Sequence, residues 1–479
     1  MRAPRGLAGF AAAGGAGLLA AWTSAAGPTP LSESYSAVAG RIVAAETAEG
    51  RAWAILEHLS DRIGPRLTGS ANAEAAVAWT AAELRGYGLT VRTEPVQVPH
   101  WVRGGEEASL VAPVEQRILV TALGGSDPTP EDGITAEVVE SPGLEGLSAL
   151  DAEAVRGKIV LFNGPMKARG MEGYAAAVGQ RTRGAAEAAR KGAVAALVRS
   201  VGTLSARLVH TGAVTYEAGV PRIPAAAVTA EDADLIHRLS SSGQAVRLRL
   251  RLGCRTLPDA PSANVVADLV GRERPEEVVV LGAHLDSWDL GTGALDDGAG
   301  VAMVMESLRL LKALGLTPRR TLRGVLYMNE ENGLRGAKAY ALAHAAELPR
   351  HVAALETDSG AARPTGWSAT VGEGGLEVLK DAARLAAALG AGTVVAGGGG
   401  ADIEPLHAAG VPLIGLRLDG AHYFDWHHSP ADTLDKADPA ELAAGASALA
   451  VLGYVLADMP DALPRPAPPS PSPPPSPRP

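Results

Sequence analysis

Apolar residues fall into different rhythms along this chain, and the changes of rhythm divide it. Between Tyr35 and Asp61 they recur at helical spacing (Ile42, Val43, Trp53, Ile55, Leu56, Leu59), which predicts a helix. The turn Ile63–Ser70 follows, then a second helix over Asn72–Leu84 ending at Gly86 and Gly88, and a strand over Leu89–Val98. From about Gly105 to Cys254 short Val/Ile/Leu runs alternate with turns, among them Ile159–Phe162 and Arg247–Leu252. One helix, Thr182–Lys191, precedes a strand at Ala193–Val198, so this stretch predicts an inserted α+β module. From Asn264 to Leu456 the order becomes strand, loop, helix. The continuous apolar runs Val278–Leu281, Gly324–Met328, Val352–Leu355 and Val411–Leu416 read as strands buried on both faces. Helices fit between them at Val301–Leu314, Leu334–Ala345 and Leu376–Leu389, and Pro439–Ala457 closes the unit. The predicted class is α/β: a largely parallel mixed sheet flanked by helices, from residues 34–104 and 258–460, interrupted by the module 105–257.

Length and composition agree with that division. A chain of 479 residues exceeds one ordinary core, and 47% hydrophobic residues mark it as globular. The net charge of −10 comes without a long basic stretch, so nucleic acid is not an expected partner. Cys254 is the single cysteine, which excludes an intrachain disulfide and a four-cysteine zinc site, and it reads as an inert, partly buried thiol.

Both ends carry segments outside the folded unit. Arg2 and Arg5, the uncharged run Leu7–Trp22 and the small residues Thr23–Gly27 predict a signal peptide over 1–26 and export to the periplasm or beyond. An uncleaved membrane anchor is the competing reading, and no stable membrane insertion is expected after cleavage. The Pro- and Ser-rich tail 464–479 is expected to be extended and disordered.

Candidate chemistry concentrates at the exits of the predicted buried strands. His284 and Asp286, Glu330 and Glu331, and Asp358 each begin within a few residues of a strand's C-terminal end, where open α/β sheets collect ligands. Asp296 and Asp297 lie in a glycine-rich loop running into a helix, and His427 and His428 precede the last helix. Adjacent buried carboxylates such as Glu330 and Glu331 repel unless a cation compensates them. Asp296 can bridge two ions, giving one set of His284, Asp358 and Asp296 and another of His428, Glu331 and Asp296. Imidazole with carboxylates suits zinc, and also cobalt or manganese. Two such ions acidify a shared water and polarise a carbonyl, and Glu330 is placed as the general base. Asp286 is expected to orient the His284 ring. His210 and His237 read as surface histidines.

These runs (His284–Asp289, Gly293–Gly298, Glu330–Gly336, Glu356–Gly360 and His427–Thr433) resemble the dinuclear zinc exopeptidase family, over about Ser34–Pro464. The resemblance implies a zinc aminopeptidase fold with an inserted protease-associated domain, two zinc ions per chain and secretion. It also implies release of amino acids from short peptides, above all dipeptides. Its zinc ligands match His284, Asp296, Glu331, Asp358 and His428, its base matches Glu330, and Asp286 matches the residue that orients the first histidine. His428 is preferred to His427 by its distance to Asp432-Thr433. Many relatives have a tyrosine before this histidine that steadies the oxyanion; here His427 stands in that place, with a ring N–H for the same task. Asn329 and Asn332 have no account at this level.

Two other classes compete: a one-zinc acyltransferase such as a glutaminyl cyclase, and a non-catalytic binding domain that has lost ligands. The module and the loops Gly397–Glu404 and Asp419–Trp426 are the candidates to close the cleft. Asp402 reads either as the partner of a substrate ammonium or as a turn aspartate. A homodimer is left open.

Overall fold

The computed structural model describes residues 29–468, so the segment 1–26 and most of the tail lie outside the described residues. The four continuous apolar runs form the parallel centre of an eight-stranded mixed sheet. Arg274–His284 pairs in parallel with Arg320–Tyr327 on one side and His351–Glu356 on the other, and Leu413–Leu418 continues the parallel set. Antiparallel strands extend both flanks: Arg255–Leu269 and Thr90–Val102 beyond Arg320–Tyr327, and Pro364–Thr370 beyond Leu413–Leu418. The long Arg255–Leu269 strand is not foreshadowed by its sequence, because Pro258 and Pro261 remove ladder donors. It is paired by an outer strand that itself carries Pro95 and Pro99.

The helix Pro439–Asp458 packs on Ala299–Ala313 and Ser36–Glu49 at the centre of the largest apolar cluster. By length and composition it would cross a membrane, but 78% of its apolar window is buried in the fold. The expected first helix, Tyr35–Asp61, is divided: Gly50 adopts extended backbone between Ser36–Glu49 and Ala52–Glu57. The chain also stays folded past the expected start of the tail. The N–H of Gly372 donates to the Pro464 carbonyl, and Arg465 donates to the carbonyls of Leu348, His351 and Ala409 at 2.8–3.0 Å.

A second eight-stranded sheet is built wholly from residues between Glu106 and Leu252. Its helix Met171–Arg190 starts three turns before the expected Thr182, and this extra length faces the first sheet. Asp425, almost fully buried, accepts from Thr203 at 2.6 Å and from Arg169 at 3.2 Å. Asp289 accepts from Arg103 Nε at 2.8 Å, so charge-assisted bonds hold the second sheet's loops over the first sheet's C-terminal edge.

Candidate metal centre

The strand Arg274–His284 delivers His284 at the sheet edge, and the loop after Arg320–Tyr327 delivers Glu330 and Glu331 beside it. His284 Nε2 lies 3.2 Å from Asp296 Oδ1 and 3.8 Å from Asp358 Oδ1. On the other side of Asp296, Oδ2 lies 3.2 Å from His428 Nε2, which is 3.0 Å from Glu331 Oε2. The two oxygens of Asp296 therefore face two separate imidazole–carboxylate groups. His427 Nε2 is 3.5 Å from Asp296 Oδ2, and its ring stacks on that of His428 with 3.5 Å between centres. Glu331 has its short contact with His428, which distinguishes the two histidines.

Backbone carbonyls set the tautomers. His284 Nδ1 donates to the Asp286 carbonyl at 3.0 Å and His428 Nδ1 faces the Thr211 carbonyl at 3.4 Å, so each Nε2 points at the carboxylates, where a bound cation would take the place of its proton. Asp286 thus accepts from the His284 ring, as expected, but through its carbonyl, and its carboxylate has a second task. Its Oδ1 is 4.0 Å from His284 Nδ1, and it instead accepts the backbone N–H groups of Asn329 (2.6 Å), Glu330 (3.0 Å) and Glu331 (3.4 Å). Asp286 fixes the loop that presents the glutamate pair. Asn329 and Asn332 also gain an account. Asn329 takes φ +76°, its amide donates to Asn332 Oδ1, and its own Oδ1 accepts from Arg335 N, closing a tight loop after the strand.

Two further carboxylates and one arginine shape the loop of Asp296, whose peptide bond to Asp297 is cis. Asp297 accepts from the N–H groups of His284 and Gly300, and Asp432 accepts from those of Leu295 and Asp296. Arg66, fully buried, donates to the carbonyls of Leu285, Gly64, Thr292 and Gly293. The sequence placed Arg66 only within the turn Ile63–Ser70, Asp432 only within a motif of the resemblance, and Asp297 only as a neighbour.

Electrostatics show what the donor set requires. Burial, and then repulsion from Asp296, pushes Glu331 up to about 7. Burial, with Asp358, Glu331 and Asp296, holds Glu330 well above the usual carboxylate range. Burial opposes charge on His284, yet the hydrogen bond to Asp296 and the nearby Asp358 carboxylate raise it well above its ordinary value. Asp296 Oδ2 and Asp358 Oδ1 are buried without a hydrogen-bond donor. Crowded acids, two imidazoles with Nε2 turned inward and orphaned carboxylate oxygens fit divalent cations.

The second sheet closes one wall. A cavity of about 300 Å³ is lined by Glu330, Glu331, Asp358, His427 and His428, with Met171, Tyr174 and Arg181 opposite. His210, expected at the surface, is buried, and its Nδ1 donates to the His427 carbonyl at 2.7 Å. Burial and the neighbouring cationic groups leave no outlet for that ring but a hydrogen bond, and its value falls to about 4. His237 is exposed and pairs with Glu140, as expected of a surface histidine. Asp402 is buried with both oxygens unpartnered, so it is neither a solvated turn aspartate nor open to the cleft.

A buried cluster of two imidazoles and several carboxylates at the edge of a parallel sheet defines a metallo-exopeptidase of the zinc type, and comparison with known proteins gives the family. The profile described as Peptidase family M28 matches residues 264–452, which hold every candidate ligand. Carboxypeptidase Q of Mus musculus is 42% identical over 418 residues, spanning 87% of this chain and 88% of that protein. Aminopeptidase YwaD of Bacillus subtilis is 25% identical, spanning 80% and 79%. The crystal structure of a Peptidase M28 precursor from Shewanella amazonensis superposes with a TM-score of 0.88 at 40% identity, covering 91% of this chain and 100% of that one. A zinc aminopeptidase from Bacillus subtilis shares the fold with a TM-score of 0.65 at 23% identity, over 86% and 95%. The chain belongs to peptidase family M28.

Proposed function

We propose that this enzyme is an exported two-zinc exopeptidase that hydrolyses short peptides, foremost dipeptides with free termini. The observation that carries the reading is the position of Asp296, with Oδ1 and Oδ2 each 3.2 Å from a different imidazole. His284 and Asp358 would hold one ion, His428 and Glu331 the other, and Asp296 both. Bound zinc supplies an acidified water and a polarised substrate carbonyl. Glu330, on the cleft wall and presented by Asp286, takes the proton from the attacking water and returns it to the leaving amine. His427, lining the same cleft with Nδ1 unpartnered, is offered as the donor to the developing oxyanion. The second sheet, read as the protease-associated domain, limits the cavity to short chains. Export rests on the basic, apolar and small-residue order of the first 26 residues.

The test is a product profile of the zinc-loaded enzyme on a library of dipeptides, tripeptides and N-acetylated dipeptides. The reading expects free dipeptides to be cut fastest and acetylation to lower kcat/KM sharply. Equal rates on acetylated dipeptides or on internal bonds of long peptides would leave a broader peptidase in its place.

A further inference from the structure

The second sheet grips the dipeptide His427-His428 and leaves the other ion group alone. His428 takes φ +59°, a left-handed conformation that a residue with a side chain keeps only where its surroundings enforce it. The peptide units on both sides of its Cα are held from the loop between the strands Ala195–Arg199 and Ala225–Val228. On one side His210 Nδ1 donates to the His427 carbonyl at 2.7 Å; on the other, Thr211 N donates to the His428 carbonyl at 2.8 Å. Each peptide unit is planar, so fixing both carbonyls fixes the backbone angles from which the His428 ring departs. His210 is itself anchored: its N–H donates to Ser200 Oγ at 2.9 Å, and its ring lies against Gly202, where a Cβ would come within 2.5 Å of it. The residue is 1% exposed and Nε2 has no partner, so the one hydrogen bond of this buried ring is spent on His427. His284 needs no such grip. Its ring is held by the Asp286 carbonyl and its N–H by Asp297, both from the first sheet's own loops.

We propose that His210 is a positioning residue for one ion site only, that of His428 and Glu331. This rests on the two-zinc reading above and adds to it the dependence of one ion on the second sheet. Without the His210 bond the peptide unit before His428 is free to turn and the left-handed angle relaxes. Nε2 then leaves its place 3.2 Å from Asp296 Oδ2 and 3.0 Å from Glu331 Oε2. Outer hydrogen-bond partners govern metal affinity because they hold the donor atom where the ion sits. Thr211 acts on the His428 ring directly, with its carbonyl 3.4 Å from Nδ1, and His210 acts through the main chain. The two sites are alike in ligand type and differ in what holds them.

The experiment measures zinc affinity by competition with a chelator, one site at a time. His284→Ala leaves the His428 site, and His428→Ala leaves that of His284. Adding His210→Phe, which keeps a ring and loses the donor, should weaken zinc about tenfold in the first background, the lower end for an outer partner of a metal ligand. In the second background it should change nothing. His210→Asn restores an N–H on the atom bonded to Cγ, as Nδ1 is, and should recover most of the affinity. Equal weakening at both sites would make His210 a general prop of the fold and overturn the proposal. An unmoved His428 site, or the same loss with Asn as with Phe, overturns it too, and both outcomes spare the two-zinc reading. Wild type that holds a single ion fails that reading and the proposal with it. Should His210→Phe not fold, His210→Ala carries the same expectations without the bulk of a ring.

Discussion

The two sheets of this molecule meet over one cleft and contribute to it in different currencies. The first sheet supplies side chains that bind and react: His284, Glu330, Glu331 and Asp358 leave the ends of its parallel strands, and Asp296 and His428 come from loops at the same edge. Among the described residues, no member of either candidate ligand group comes from the second sheet. Its contributions are the Thr211 carbonyl, the His210 ring under His427, and the wall of Tyr174 and Arg181. Chemistry sits in short local motifs on one side. On the other, packing positions those motifs and decides what reaches them.

Substitutions should separate the two roles, and the largest effect belongs to the first sheet. Glu330→Gln keeps shape but loses the proton acceptor, so kcat should fall by ~10²–10⁴ with zinc content intact. Near-normal turnover would move the base elsewhere and dissolve the distinction between Glu330 and Glu331. A smaller effect is expected from the contact between sheets. Asp425→Asn weakens the ties to Thr203 and Arg169, and kcat/KM should fall about tenfold, the scale of one buried hydrogen-bonded charge, without zinc loss. Unchanged kinetics would show that the second sheet's placement does not matter to the cleft.

The smallest effect is thermal and appears only after chelation. Glu331 and Asp432 are pushed up to about 7, first by burial and then by the Asp296 charge, whereas both titrate near ~4 in an unfolded chain. The folded metal-free chain therefore retains protons that the unfolded chain has released between about pH 4 and 7, so its stability falls as pH rises through that window. The raised His284 acts in the same direction above about 6.5. Chelated protein should melt lower at pH 8 than at pH 5.5, by about 1 °C for each kcal/mol involved in a chain of this size, with zinc narrowing the gap. A melting point that climbs with pH in chelator would count against the crowding of acids.

How much could be read from residues alone follows the same line. The four parallel strands were legible because burial on both faces demands unbroken apolar runs, and strand exits then located His284, Glu330, Glu331 and Asp358. The spacing of His284 and Asp286 pointed to the partner of the ring, but it could not tell a carbonyl from a carboxylate as the acceptor or show the three bonds that the carboxylate accepts from the backbone of Asn329–Glu331. Arg181 and Tyr174 gave no signal, since an arginine amid small residues on a helix reads as solvated. His210 was misread for a related reason: its burial depends on loops that meet only when the two sheets are packed. The strand Arg255–Leu269 was missed because prolines that would break a central ladder are tolerated beside the sheet's outermost strand.

The central claim is that Asp296 joins two ion sites, and metal stoichiometry tests it most directly. Elemental analysis of dialysed, fully active protein should find two zinc ions per chain; His284→Ala should lose mainly one, and Asp296→Ala should disturb both. One tight ion per chain at full activity would contradict the account.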